Sequence, residues 1–161
     1  MDVITLLSIA GDQHSVLSHR QALAAGVTKA QLHRATRSGL LTLVAPQVYA
    51  IAHLPRTRRT EITIGCLTYD GAASHQTAAE LWELLSPRDQ RVHVITTRWD
   101  RVLRAELAVH ESRDLIDEDI ATLDGIPVTT PTRTLVDLGA EVAPQAVEIA
   151  FETGVRKGLL D

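Results

Sequence analysis

Aromatic side chains are scarce in this chain, at 3% of 161 residues: two Trp, two Tyr and one Phe. A core must therefore come from Leu, Val, Ile and Ala, and the 45% hydrophobic content supplies it. Cysteine occurs once, as Cys66, which excludes an internal disulfide and any multi-cysteine zinc site. Mid-helix among Ile62, Ile64 and Leu67, it reads as a small buried hydrophobe with no basic neighbour to activate it. No apolar run approaches the roughly 20 residues of a membrane-spanning helix. The start, MDVITLLSIAGDQ, lacks the basic residues and long apolar core of a signal peptide. A soluble, cytoplasmic protein is expected. There is no phosphate-cradling glycine loop, no serine-nucleophile elbow, and no His-x-x-x-His or His-Glu-x-x-His pair. No catalytic residue, metal or cofactor is expected, and no internal repeat or low-complexity tract is found.

Length allows one domain with a good core or two small ones. The net charge of −4 conceals a split. Residues 1–60 carry seven basic side chains (Arg20, Lys29, Arg34, Arg37, Arg56, Arg58, Arg59) against Asp2 and Asp12, a net +5. Residues 61–161 carry the remaining 9 basic against 18 acidic residues, a net −9. Such asymmetry points to different partners for the two halves, or simply to two solvated surfaces.

In the first half, Val3, Leu6, Leu7 and Ala10 fall at helical spacing within a helix over 2–10. Ser18 is suited to cap a second helix over His19–Ala25, and Thr28 a third running to about Ser38. Between them Gly26 permits a sharp reversal. Two short helices joined by a glycine-containing turn are the helix-turn-helix pattern, with Val27, Leu32 and Ala35 to fill the space between them. Two β-prone pieces, Leu40–Val44 and Gln47–Ile51, then form a hairpin where a winged helix carries its wing. A helix over Arg58–Tyr69 follows LPRTRRT, and the boundary between domains is placed at 56/57.

In the second half, Ser74 is a candidate cap for a helix burying Ala78, Leu81, Trp82 and Leu85 on one face, so Trp82 reads as structural. RVHVITTRW (91–99) and AELAVHES (105–112) read as strands, and ATLDGIPVTT as a hairpin turning at Asp124-Gly125. Pro127 places its strand at a sheet edge. Thr130-Pro131 opens a helix ended by Gly139, and a last helix covers Val142–Arg156. The expected fold class is α+β: a winged helix-turn-helix over 1–56, then a mixed α/β domain over 57–161 with a small, largely antiparallel sheet.

The third helix carries the clearest site. At about 100° per residue, Leu32 and Ala35 share one side while Ala30, His33, Arg34 and Arg37 share the other, flanked by Lys29 and Gln31. A major-groove helix needs such a face: cations for phosphates, and Arg or Gln for paired hydrogen bonds to base edges. The candidate DNA-binding residues are Arg20, Thr28, Lys29, Gln31, His33, Arg34 and Arg37. The plainer reading is a basic, solvated helix.

Elsewhere, His93 and His110 can face one another across strands but read as ordinary strand residues, and His75 as orienting a helix start. Arg133 and Asp137, at i and i+4, are placed to pair on a helix surface for a few tenths of a kcal/mol. The acidic run Asp114–Asp119 reads as a solvated loop, or as a surface for a basic partner.

Three stretches resemble the AbiEi family of type IV antitoxins: GVTKAQLHRATRSGLL…VYAI (26–51), SHQTAAELW (74–82) and DGIPVTTPTRTLVDL (124–138). They follow the family's order over most of the chain. The resemblance implies a winged helix before an antitoxin domain, and a cytoplasmic protein that binds double-stranded DNA at its own promoter. Separately, the few cations on one protomer lead to the expectation of a homodimer on a repeated or palindromic DNA site. It also implies a partner, an AbiEii-like nucleotidyltransferase toxin. Family wings commonly carry basic residues before Gly-Val-Tyr, whereas Leu43-Val44-Ala45-Pro46-Gln47-Val48-Tyr49 carries none. The last residues, 157–161, resemble the start of a further helix, and some longer relatives continue into a Vsr-like endonuclease domain. Two other functions therefore stand beside the repressor-antitoxin: the DNA-targeting, non-catalytic front of a nuclease, and an interaction module whose winged helix no longer binds DNA.

Overall fold

The computed structural model describes residues 2–86, 88–98 and 105–160. The fold is α+β, and the chain divides into two compact units, Met1–Thr68 and Tyr69–Asp161.

The first unit runs α1 (Asp2–Gly11), β1 (Val16–Ser18), α2 (His19–Ala24), α3 (Lys29–Arg37), β2 (Leu41–Ala45), β3 (Val48–Ile51) and α4 (Arg58–Tyr69), whose last residue belongs to the second unit. Both short helices start with a reciprocal capping box. Ser18 Oγ accepts from Gln21 N while Gln21 Oε1 accepts from Ser18 N, and Thr28 with Gln31 repeats the arrangement. Both end in the same way. Gly26 (φ +86°) and Gly39 (φ +75°) adopt the left-handed conformation, so that Val27 N–H reaches Ala22 O and Leu40 N–H reaches Ala35 O. This closure satisfies orphan carbonyls, and only a residue lacking Cβ takes that φ without strain. Caps at both ends let helices of six and nine residues persist with little propensity of their own.

Leu6, Ala10, Leu17, Ala22, Val27, Leu32, Ala35 and Leu41 make the core of this unit. Behind it lies an antiparallel sheet of order β1-β3-β2, with a register irregularity between Leu43 and Ala45. Strand β1 has no counterpart in the sequence reading. Its three residues are too few for a periodic signal, and they are extended because they pair with Val48–Ala50.

The second unit runs β4 (Ala72–Ala73), α5 (His75–Leu81), β5 (Val92–Thr96), β6 (Leu107–Glu111), a 3₁₀ turn (Asp117–Asp119), β7 (Ile120–Leu123), β8 (Ile126–Thr129), α6 (Pro131–Leu138) and α7 (Pro144–Arg156). Its mixed five-stranded sheet has the order β6-β5-β4-β8-β7. The β4–β5 and β7–β8 ladders are antiparallel, and the β4–β8 and β5–β6 ladders are parallel. Of the strand expected over 91–99, residues 92–96 are extended, and Trp99 lies outside the described residues.

Three expectations need correction here. Pro127 does not sit on an edge strand, because β8 lies between β4 and β7. An interior proline is tolerated since β4 is two residues long and pairs with β8 only at Ala73–Val128, so no ladder N–H is required of Pro127 on that side. Helix α5 stops at Leu81 rather than continuing to Leu85, the backbone reversing at Glu83 (φ +55°). Ser74 occupies the N-cap position of α5, but its hydroxyl makes no cap bond and turns instead to His75 Nδ1 at 2.9 Å.

The α5–α6–α7 side of this unit is held by Ala79, Leu84, Leu138 and Ala150, with Trp82, Leu85, Leu135 and Val147 packed against them. Trp82 is half-buried, and its indole N–H donates to Thr129 O at 2.8 Å. Every residue of β5 is buried, which gives the sheet a spine on which polar side chains can be fixed.

Candidate functional site

On α3, burial divides the side chains as the helical period dictates. Leu32 and Ala35 are in the core, while Lys29, Ala30, His33, Arg34 and Arg37 are exposed. Lys29, His33, Arg34 and Arg37 make no ion pair among the described residues. Arg34 and Arg37 also lie in the last turn, where the helix dipole favours cations. Arg20 is exposed on α2. Thr28 and Gln31, by contrast, are committed to the capping box: Gln31 Oε1 accepts from Thr28 N at 2.6 Å. That leaves Gln31 only its amide N–H groups for a ligand. The β2–β3 hairpin adds no charge, and its Leu43 is 56% exposed.

A second constellation occupies the sheet of the second unit. His75 opens α5, His93 stands in mid-β5 and His110 in β6, and their ring nitrogens lie within 4.8 Å of one another. The topology explains the meeting. In the parallel β5–β6 ladder His93 pairs with Ala108, so His110, two residues along, shares its face. Helix α5 is tied to β5 by Thr77 Oγ1, which accepts from His93 N at 2.9 Å, and this brings its first residue over the same face. The His75 and His110 rings stack with centroids 3.6 Å apart. His75 holds φ +48°, a conformation that L side chains rarely adopt and that costs of order 1–3 kcal/mol.

Around the rings, His93 Nδ1 lies 3.1 Å from His110 Nε2 and 3.2 Å from Glu141 Oε2. His110 Nε2 lies 3.5 Å from Glu141 Oε1, and His93 Nε2 lies 3.3 Å from Asp89 Oδ2. Burial, reinforced by His110, His93 and Arg133, lowers the His75 pKa to about 3. Burial, with His93 and Arg91, lowers that of His110 to about 4. Both imidazoles are therefore neutral at physiological pH. The Arg91 hydrogen bonds hold Asp89 well below the usual carboxylate range.

Beside this cluster, Arg133 gathers three partners. Its Nε donates to Asp137 Oδ1 at 2.9 Å, Nη1 to Asp119 Oδ2 at 2.8 Å and Nη2 to Ser112 Oγ at 3.1 Å. The sequence places Arg133 and Asp137 on a helix surface; instead Asp137 is buried, and the Arg133 side chain is 15% exposed. Asp119, the end of the acidic run, is likewise drawn into this network rather than left solvated. Burial raises the Asp137 pKa against the pull of Arg133, and Oδ2 of Asp137 has no hydrogen-bond partner among the described residues. Burial opposes the Arg133 charge, but the Asp137 and Asp119 carboxylates together raise its pKa.

The profile of the AbiEi antitoxin C-terminal domain matches residues 41–149, about two thirds of the chain. The chain belongs to the AbiEi antitoxin family. Its role is accordingly that of an antitoxin in a toxin–antitoxin system. The AbiEi match begins at the first residue of β2 and ends within α7, so it takes in His75, His93, His110, Arg133, Asp137 and Glu141 but not α3. A search of curated proteins finds no significant match to the chain. Among the described residues no helix is long and apolar enough to cross a membrane.

His93 and His110 do face one another across adjacent strands, as their place in two β-prone stretches allows, though they are more than ordinary strand residues. The arrival of His75 beside them has no local signal in the sequence and becomes readable only once the packing of α5 on β5 is known.

Proposed function

We propose that this chain is a cytoplasmic, non-catalytic, DNA-binding antitoxin that represses its own operon in a type IV system and counters a nucleotidyltransferase-like toxin of the AbiEii kind. On this reading residues 1–56 form a winged helix-turn-helix, and the residues from 57 onward form the antitoxin domain. The element order α1-β1-α2-α3-β2-β3, with a three-stranded antiparallel sheet, supports the first assignment. One observation carries the DNA reading: the capped helix α3 buries Leu32 and Ala35 and presents Lys29, His33, Arg34 and Arg37 to solvent.

Base reading falls to Arg34 and Arg37, because Gln31 is held in the capping box and the hairpin has no charge to offer. A bidentate arginine–guanine contact discriminates by about 1–3 kcal/mol. Lys29 and Arg20 suit phosphates, each contact adding about 0.9 to the slope of log affinity against log salt. So few cations on one protomer give weak binding and a shallow slope, which a homodimer on a palindromic site doubles. Fluorescence anisotropy with the chain's own promoter duplex at two salt concentrations tests this. Arg34→Ala/Arg37→Ala should abolish preference for the promoter over an unrelated duplex, and Lys29→Ala should weaken both alike. Equal promoter binding by the double variant would refute α3 as the reader. The exposed Leu43 on the uncharged hairpin favours one alternative, a protein-interaction module, which that result would support.

A further inference from the structure

We propose that His93, His110 and Glu141, with His75, form a binding site for one divalent transition-metal ion of the zinc class. The argument starts from the geometry at His93, whose side chain is 1% exposed. Its Nε2 faces the Asp89 carboxylate, and its Nδ1 faces both the Glu141 carboxylate and His110 Nε2. Two imidazole nitrogens and a carboxylate thus converge on one point, and the ring nitrogens of His75, His93 and His110 lie within 4.8 Å of one another. A cation held by His93 Nδ1, His110 Nε2 and Glu141 would leave Nε2–H of His93 to donate to Asp89.

The distances suit such an ion. Zinc–nitrogen and zinc–oxygen bonds of about 2.0–2.1 Å at tetrahedral angles place neighbouring ligand atoms about 3.3 Å apart. His93 Nδ1 and His110 Nε2 are 3.1 Å apart, and each nitrogen faces its own oxygen of the one Glu141 carboxylate, His93 Nδ1 at 3.2 Å from Oε2 and His110 Nε2 at 3.5 Å from Oε1. His75 stands beside these donors, with a ring nitrogen within 4.8 Å of those of His93 and His110, and takes the fourth position by turning out of its 3.6 Å stack on His110. Its Nδ1 is engaged by Ser74 Oγ at 2.9 Å, and donation there leaves Nε2 as the lone-pair atom. Asp89 on His93, and Ser74 on His75, are the outer partners that fix the tautomer and orientation of ligating histidines. The strained φ of His75 places a side chain where an unstrained backbone would not.

Charges around the site are balanced for a divalent ion. Arg91 is neutralised by Asp89, and Arg133 by Asp119 and Asp137, so neither is a bare cation against the metal. Imidazole and carboxylate donors without thiolate select zinc, cobalt or nickel over the harder calcium and magnesium.

The test uses the full chain, stripped with EDTA and dialysed. Titration with zinc chloride by calorimetry, and with cobalt chloride by visible absorption, should give one site per chain and the intense d–d bands of a tetrahedral ion. Glu141→Gln and His110→Ala change partly exposed side chains and should fold, as near-ultraviolet circular dichroism will verify. Each should weaken zinc by more than the roughly 10–100-fold that loss of an outer partner such as Asp89 brings. His53→Ala, at an exposed histidine outside this cluster and outside α3, should leave zinc affinity unchanged. No saturable binding below millimolar zinc would overturn the proposal, as would binding that survives in Glu141→Gln/His110→Ala.

Discussion

Removing Arg133 should cost far more than a surface ion pair would, because of where its partners lie. In Arg133→Met the Asp137 carboxylate keeps its burial and loses the one hydrogen bond that its Oδ1 accepts among the described residues, where Oδ2 accepts none. Breaking a buried pair by deleting one partner typically costs about 3–5 kcal/mol, against about 0–1 kcal/mol for an exposed pair. For a chain of this size that is a fall of roughly 6–20 °C in melting temperature. The pH dependence has a defined sign. Burial already raises the Asp137 pKa in the parent, and loss of Arg133 raises it further. A carboxyl whose folded pKa exceeds its unfolded value favours the folded state at low pH and disfavours it as pH rises through the folded pKa. The deficit of Arg133→Met relative to the parent should therefore be largest near neutrality and shrink on acidification toward pH 4. Arg133→Met/Asp137→Leu should recover most of the loss, since an apolar pair of similar volume often equals or betters a buried ion pair. Urea unfolding of parent, single and double variants at pH 7.5 and 4.5 measures all of this. A deficit below about 1 kcal/mol, or one that does not change between the two pH values, would show that Asp137 is not a buried charge held by Arg133.

Trp82→Ala should destabilise the second unit by about 3–5 kcal/mol, by truncating a side chain packed on Ala79, Leu84 and Leu138. Trp82→Phe should cost less: it loses one hydrogen bond, worth about 0.5–1.5 kcal/mol, while Thr129 O still accepts from Thr134 Oγ1 at 3.1 Å. A melt unchanged in both would contradict a structural role. Gly71→Ala should be strongly destabilising, because a Cβ there would collide with the Ile95 carbonyl and press on Val94 Cγ1 at 3.0 Å. Thermal unfolding followed by circular dichroism reads it, and a melting temperature within a degree of the parent would mean that β4 and β5 part more readily than their packing implies.

The parts of the fold legible in the sequence are those with local causes. Thr28 and Gly39 bound α3 because capping and left-handed closure are properties of single residues. Arg58–Tyr69 is helical over the bounds expected for the segment that follows LPRTRRT. Asp124-Gly125 turns β7 into β8 with φ of +49° and +78°, as a primed turn requires. Strands β1 and β4, three and two residues long, have no such cause. They are extended because a distant strand pairs with them, and no window of sequence contains that information. The interior place of Pro127 follows from the brevity of β4, so it was hidden for the same reason.

Polar side chains were harder to read than apolar ones, and the physics of each accounts for it. An apolar residue is assigned by its own period, since any apolar neighbour will serve. A histidine or an arginine is assigned by which groups meet it, and here those groups come from five places in the chain. His75 arrives on α5, His93 and His110 on a parallel strand pair, Glu141 on the turn after α6 and Asp89 just before β5. Arg133 and Asp137 do follow a local rule, i to i+4, and their pairing is seen. What that rule cannot supply is depth. The same two residues exposed would be worth a few tenths of a kcal/mol. Buried, with Asp119 and Ser112 completing the guanidinium's bonds, they make a charge network whose members cannot be removed singly without a large loss.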